Sequence, residues 1–119
     1  MNEINRMYLR LLKIELEDLR EDLDALIRGW DERLQHHEVT RYVVLENVAV
    51  LRNEILGVSG LSHLLGQTDP DAYDDLDSMV ADLRNRCAQR LKEHNLPEGP
   101  HRMICRKLDK VAQYVRMHS

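Results

Sequence analysis

Residues 9–30 read LRLLKIELEDLREDLDALIRGW, and this stretch decides the fold class. Its apolar residues recur in alternating steps of three and four, at Leu9, Leu12, Leu16, Leu19, Leu23, Leu26 and Trp30. That spacing is typical of an amphipathic α-helix with a heptad seam, and mostly charged residues fill the positions between. Because an apolar seam is unfavourable in water, the stretch predicts a long helix that needs a partner along its whole length.

Length and composition predict one all-α domain over residues 1–119. The chain has no Phe, one Trp and four Tyr, so we expect a core of Leu, Val, Ile and Met. It has no run of about 18 uninterrupted apolar residues and no signal-peptide pattern at its N-terminus. Its two cysteines are too few for a disulfide scaffold. We therefore expect a cytoplasmic protein with no membrane partner and no cofactor.

Apolar spacing and turn residues predict four helices. The first runs over residues 2–37 and the second over residues 40–65, with a break near residues 36–38. The third opens at Asp69, an acid suited to the N-cap, followed by Pro70 at the first helical position. Residues 95–100 contain two prolines and a glycine and predict a turn, after which a fourth helix ends near Met117. Short connections favour an antiparallel four-helix bundle.

The first predicted helix is two or three turns longer than the third and fourth. We therefore expect a homodimer, because pairing with a second copy would cover the surplus apolar seam. The residues expected to carry self-association are Leu16, Leu19, Leu23, Leu26 and Trp30. Glu15 and Arg20 occupy flanking positions that could pair between parallel chains, but the next heptad does not repeat this match, so the dimer orientation stays open.

Charge is divided unevenly along the chain. Residues 1–83 carry eight Lys and Arg against eighteen Asp and Glu, whereas residues 84–119 carry nine against three. Helix-dipole matching explains part of this division within the third helix, but the fourth helix carries cations near its start, where the dipole favours acids. The excess predicts a basic partner surface at Arg86, Arg90, Arg106 and Lys107. Nucleic acid is one candidate complement, although Tyr114 is the one aromatic residue available for base stacking there. An acidic protein partner, or the acidic half of a neighbouring copy, is the alternative.

The segment over residues 51–61 resembles the first helix of the dimerisation and histidine-phosphotransfer domain of sensor histidine kinases. The likeness lies in Leu51, Arg52 and Asn53, and in Val58, Gly60 and Leu61 further along. In that family an acceptor His and an acid precede such a stretch, and Ala49 and Val50 stand at those positions here. The resemblance therefore implies a dimeric helical scaffold without phosphotransfer.

A second resemblance is to monomeric histidine-phosphotransfer domains, which are four-helix proteins of about this length. Their acceptor lies in an H-x-L-K-G motif, and this chain has His63, Leu64, Leu65 and Gly66. The resemblance implies that His63 is a phosphoacceptor, although the motif's Lys is absent and its Gly comes one position early. A solvent-facing histidine on the second helix is the favoured explanation of His63, because His is a common surface residue, and the phosphoacceptor is the alternative.

Four nitrogen and sulfur side chains near the last turn form a candidate metal site. His101 and Cys105 are spaced i, i+4 on the fourth helix, while Cys87 and His94 lie on the third. An antiparallel turn could bring them together as the four ligands that zinc prefers, although their spacing differs from that of known structural sites. As an alternative, Cys87 occupies a seam position, where a small buried apolar side chain is expected.

No catalytic motif is present. The chain lacks a Gly-rich phosphate loop, a G-x-S-x-G elbow and an H-E-x-x-H helix. Its acidic cluster over residues 15–24 is interpreted as a solvated helix face. The sequence thus predicts a non-enzymatic helical interaction or regulatory protein that self-associates and binds a protein partner through helix faces. The alternatives are a histidine-phosphotransfer-like or degenerate kinase-dimerisation module, and a nucleic-acid-binding module.

Overall fold

The computed structural model describes residues 2–119 and contains four α-helices and one short 3-10 turn. The helices are α1 (Glu3–Gln35), α2 (Arg41–Gly66), α3 (Leu76–Glu93) and α4 (Glu98–His118), and the 3-10 turn covers Pro70–Ala72. The four helices pack against one another, and no strand occurs among the described residues. The predicted all-α class is therefore confirmed. None of the helices in residues 2–119 combines the length and the apolar content needed to cross a membrane.

One hydrophobic core lies between the four helices. It is mainly aliphatic, as the composition predicted, and its most deeply buried members include Leu12, Leu16, Leu61, Leu83, Ile104, Leu108 and Val115. Tyr8 is the one aromatic residue buried within it, and the phenol donates a hydrogen bond to the Leu108 carbonyl oxygen at 3.0 Å. Burial raises the pKa of Tyr8 because the phenolate would lose its hydration. This bond ties α1 to α4 inside the core.

The seam of α1 is covered by its own chain as far as Leu23, which is buried in the core. Beyond that point, the buried side chains on the first half of α2 are Val44 and Val48, and neither belongs to the main core. The second half of α1 and the first half of α2 therefore form a two-helix extension. We call this extension, residues 24–50, the tip hairpin.

The tip hairpin turns at a residue with left-handed backbone geometry. At the end of α1, His37 has φ 57°, and the N–H of Glu38 donates to the Arg33 carbonyl at 2.9 Å. This is the hydrogen-bond pattern of a Schellman C-cap, which usually places Gly at the left-handed position. The break predicted near residues 36–38 is therefore confirmed, although a histidine takes the place of the usual glycine.

The start of α3 differs from the prediction, which placed it at Asp69 and Pro70. Asp69 does act as a cap, but only for the 3-10 turn, where its carboxylate accepts from the N–H of Asp71 at 2.9 Å. α3 itself begins six residues later, with Asp75 as the N-cap. The Asp75 carboxylate accepts from the Ser78 N–H at 2.8 Å, and hydrogen bonding at Ser78 lowers the pKa of Asp75. The prediction was wrong because a capping signal does not fix how many turns follow it.

Long-range hydrogen bonds from α1 hold the connection between α2 and α3. The side-chain amide of Asn2 donates to the carbonyl oxygens of Pro70 and Tyr73, at 3.1 and 2.8 Å. The buried Asn5 amide donates to the same Pro70 carbonyl at 3.0 Å. Tyr73 has extended backbone angles, so the chain leaves the helical path there and restarts at α3. The side chains that hold this break belong to the N-cap and the first turn of α1, 65 to 71 residues away in sequence.

α4 begins at Glu98, inside the segment predicted as a turn. Pro100 lies in its first turn, where the missing N–H would have no partner within the helix. Pro100 is buried and packs close to α2 at Gly57. A Cβ added at Gly57 would lie 3.1 Å from Pro100 Cβ and 3.0 Å from Ile104 Cδ1. α2 and α4 therefore approach closely at Gly57, where a larger residue would have to displace Pro100 or Ile104.

Two glycines in helix interiors should respond oppositely to alanine. Gly29 has no heavy atom within 4 Å of an added Cβ, so Gly29→Ala should raise the free energy of unfolding by about 0.5–1 kcal/mol through helix propensity. Gly57→Ala gains the same propensity but crowds Ile104 and Pro100, so it should lower the free energy of unfolding by about 1–3 kcal/mol. Urea unfolding of both variants measures this, and equal shifts would contradict the packing at Gly57.

Candidate functional site

A stripe of exposed apolar side chains runs along α2, on the side away from its buried Val44 and Val48. Tyr42, Leu45 and Leu56 are 69%, 62% and 56% exposed, and Ala49 is exposed between them. Their steps of three, four and seven residues keep one helix face, with Arg52 at the remaining heptad position. We call Tyr42, Leu45, Ala49 and Leu56 the α2 outer stripe.

Two charged residues accompany the α2 outer stripe. Glu46 and Arg52 are both exposed, and neither forms an ion pair with another residue in the described chain. Exposed apolar side chains beside unpaired charges of both signs are typical of a helix face that pairs with another helix. The stripe therefore has the composition of a helix–helix interface.

Sequence reasoning missed the α2 outer stripe because α2 carries two interleaved apolar patterns. The pattern that it identified, Val44, Val48, Leu51, Ile55, Val58 and Leu65, lies wholly in buried and half-buried positions. The second pattern repeats with the same three-four spacing, starting at Tyr42, and was visible in the sequence. Only the packing of α1 and α4 shows which of the two patterns is left without a partner.

The residues predicted for self-association divide between core and surface. Leu16 and Leu23 are buried in the core of their own chain, and Leu19 is half-buried against it. Leu26 is 54% exposed on the tip hairpin. Trp30 is half-buried, and the Arg33 guanidinium lies 4.5 Å from the centre of its ring, a cation–π contact. Of the five, Leu26 and parts of Leu19 and Trp30 are accessible to a second chain.

Substitutions at Leu23 and Leu26 should therefore separate core from surface. Leu23→Asp places a carboxylate in the core and should lower the free energy of unfolding by about 3 kcal/mol or more. Leu26→Asp, one turn further along α1, should change it by less than about 1 kcal/mol. Circular dichroism in a urea series measures both variants. A Leu26→Asp chain that unfolds like Leu23→Asp would contradict the tip hairpin as described.

A second surface feature is a groove of about 420 Å³ between α2 and α3, which we call the α2–α3 groove. Four leucines, Leu56, Leu61, Leu91 and Leu96, contribute its apolar lining. Gly57 and Gly60 lie in the groove without side chains, and the Arg90 side chain crosses at Gly60. His63 and His94 also line it. No Asp or Glu is among the lining residues.

The structure gives His63 an exposed position on α2 in the α2–α3 groove, together with Arg90 and His94. An exposed histidine is required of a phosphoacceptor but is equally ordinary for a surface helix. The phosphotransfer interpretation of His63 therefore stays a prediction.

The four residues predicted as zinc ligands are not brought together. His101 and Cys105 are in contact, with 3.5 Å between Nε2 and Sγ, while Cys87 is buried and His94 is exposed. Over residues 2–119, no group of three His, Cys, Asp or Glu side chains converges on a point where a metal ion could sit. Burial, with a smaller contribution from Cys105, raises the pKa of Cys87 to about 11. Cys87 is therefore a neutral thiol in the core, the alternative that the sequence allowed.

The four residues of the predicted basic surface lie against different parts of the molecule. Lys107 contacts α1, with 3.2 Å between its Nζ and the Glu15 carboxylate. Arg90 crosses α2 at Gly60, and Arg86 lies 4.0 Å from Asp82 on its own helix. Arg106 is exposed on α4 and forms no ion pair among the described residues. Lys107 thus lies where α4 contacts α1, whereas Arg90 lies where α3 contacts α2.

No protein-family model, curated protein or solved structure matches this chain. The function of the α2 outer stripe and of the α2–α3 groove is therefore inferred from their physical chemistry.

Proposed function

We propose that this protein is a non-enzymatic helical interaction protein, and that two copies pair through the α2 outer stripe. The observation that carries the proposal is the exposure of Tyr42, Leu45 and Leu56 on one helix face. Full burial of a large apolar side chain stabilises a complex by about 1.5–3 kcal/mol. A second copy supplies a matching surface, because in a two-fold symmetric pair the same stripe lies on both sides of the interface.

Charge supports an antiparallel pairing centred on Ala49. In that register Tyr42 lies opposite Leu56 of the second copy, because both are seven residues from the centre. Glu46 and Arg52 are each three residues from the centre, so each carboxylate faces a guanidinium across the pair. Parallel in-register helices would instead place like charges together, which disfavours that arrangement. The small side chain of Ala49 allows the two helices to approach closely at the centre.

The proposal takes the four helices of each copy as an antiparallel bundle. Ion pairs between Arg84 and Asp109 and between Arg116 and Asp77 support opposite directions for α3 and α4. In this arrangement α3 and α4 cover the first half of α1 and the second half of α2. The tip hairpin projects beyond them. The first half of the α2 outer stripe then lies on the projecting part, where a second copy can reach it.

A heterologous protein partner is proposed for the outer face of α1. Its exposed carboxylates are Glu17, Asp18, Glu21 and Asp22. A partner with a basic surface would complement this acidic face and would be attracted most strongly at low salt.

Sedimentation velocity at micromolar concentration tests the pairing. We expect a dimer for the wild-type chain and a monomer for Leu45→Glu, with an unchanged helical circular dichroism spectrum because Leu45 is exposed. Glu46→Arg should weaken the dimer by pairing like charges, and the double variant Glu46→Arg with Arg52→Glu should restore it. A wild-type chain that stays monomeric at about 100 µM would contradict the proposal.

The double variant also distinguishes the register. If Glu46→Arg and Arg52→Glu each weaken the dimer but together fail to restore it, the two residues do not face each other. That result would overturn the antiparallel register centred on Ala49. It would not contradict the proposal that the wild-type chain forms a dimer.

A further inference from the structure

The α2–α3 groove has the size and lining of a small-molecule site. Its volume of about 420 Å³ lies within the range of ligand pockets in proteins. Leucine side chains line much of it, and its polar side chains are Arg90, His63, His94 and Ser59. A mainly apolar groove with a few polar groups is the common form of such sites.

Arg90 supplies a positive charge that no described residue neutralises. The side chain is half-buried and forms no ion pair within residues 2–119. By contrast Arg84, one and a half turns earlier on α3, pairs with Asp109. Because no Asp or Glu among residues 2–119 lines the groove, an anion bound there would not compete with a carboxylate of the protein for Arg90.

The glycines of α2 leave room for this arginine. A Cβ at Gly60 would lie 3.3 Å from Arg90 Nε and 3.4 Å from its Cδ, so the arginine stem rests on the bare helix backbone. Gly57 also lines the groove, but an added Cβ there would meet Ile104 and Pro100 of α4 before it reached Leu91. A larger residue at Gly60 would displace Arg90 and change the groove at the point where the charge lies.

We propose that the α2–α3 groove binds an amphipathic monoanion, namely a carboxylate with an unbranched apolar tail. Arg90 is the one permanent charge in the lining, which matches a headgroup of a single negative charge, and its planar guanidinium suits a carboxylate. His63 and His94 can donate further hydrogen bonds, and the leucines contact the tail. The Cys87 thiol at the groove is buried and protonated, so binding is noncovalent.

Titration of the full chain with hexanoate, octanoate and decanoate, each below its micelle concentration, tests the proposal. Calorimetry should give affinities that rise about threefold to fourfold for each added methylene. Nuclear magnetic resonance should place the shifts at residues 56–63 and 87–96. Arg90→Gln should weaken octanoate binding at least about tenfold, whereas the matched control Arg86→Gln, one turn away and outside the groove, should leave it unchanged.

Further arms separate charge from apolar contact. Octylammonium has the same tail with the opposite charge and should bind at least about tenfold more weakly than octanoate. Gly60→Ala should also weaken binding by displacing Arg90, while Gly29→Ala should not. Equal affinities for octanoate and octylammonium, or equal affinities of wild type and Arg90→Gln, would overturn the proposal. So would the absence of shifts in the groove at millimolar decanoate.

Leu56 belongs both to the α2–α3 groove and to the α2 outer stripe, so ligand binding must be measured independently of dimer formation. The octanoate titration is repeated on the Leu45→Glu chain, whose substitution lies outside the groove. Binding that persists there supports the groove whatever the oligomeric state. Loss of binding in Leu45→Glu alone would mean that the ligand needs the paired form, which contradicts a site built by α2 and α3 of one chain.

Discussion

The unequal lengths of the helices constrain the rest of the structure. α1 has 33 residues and α2 has 26, whereas α3 and α4 have 18 and 21. The core shared by all four helices therefore covers the seam of α1 as far as Leu23 and no further. Beyond Leu23, α1 and α2 pack only against each other. Two helices that pack in this way bury one face of each. Val44 and Val48 lie on the covered face of α2, and the opposite face is left to solvent or to another molecule.

α2 is consequently the element on which both proposed surfaces depend. It packs against α1 through one apolar pattern and presents a second pattern outward, ending at Leu56 on the rim of the α2–α3 groove. Its glycines lower helix propensity but have local functions. Gly57 allows α4 to approach at Pro100 and Ile104, and Gly60 lets the Arg90 side chain rest against the helix backbone.

The sequence predicted local features well and tertiary ones poorly, for identifiable reasons. The helical class and the turn near residues 36–38 follow from spacing and chain breaks, and the structure confirms them. The start of α3 was misplaced because the capping signal at Asp69 opens only a 3-10 turn, whose Pro70 carbonyl is held by Asn2 and Asn5 from far away in sequence. The candidate zinc ligands do not converge, since Cys87 is buried in the core while His94 is exposed, and residue spacing alone does not reveal this. The α2–α3 groove escaped prediction because it needs Gly60 and Arg90 from two helices to meet.

The central claim is that α2 pairs with α2 of a second copy about an axis near Ala49, and disulfide trapping tests it most directly. A cysteine on the axis can reach its own symmetry mate, because disulfides need Cα atoms within about 7 Å. Under mild oxidation Ala49→Cys should form a covalent dimer, and Tyr42→Cys should not do so alone but should cross-link when mixed with Leu56→Cys. Cross-linking of Tyr42→Cys with itself, or no trapping at position 49 at micromolar concentration, would contradict the account.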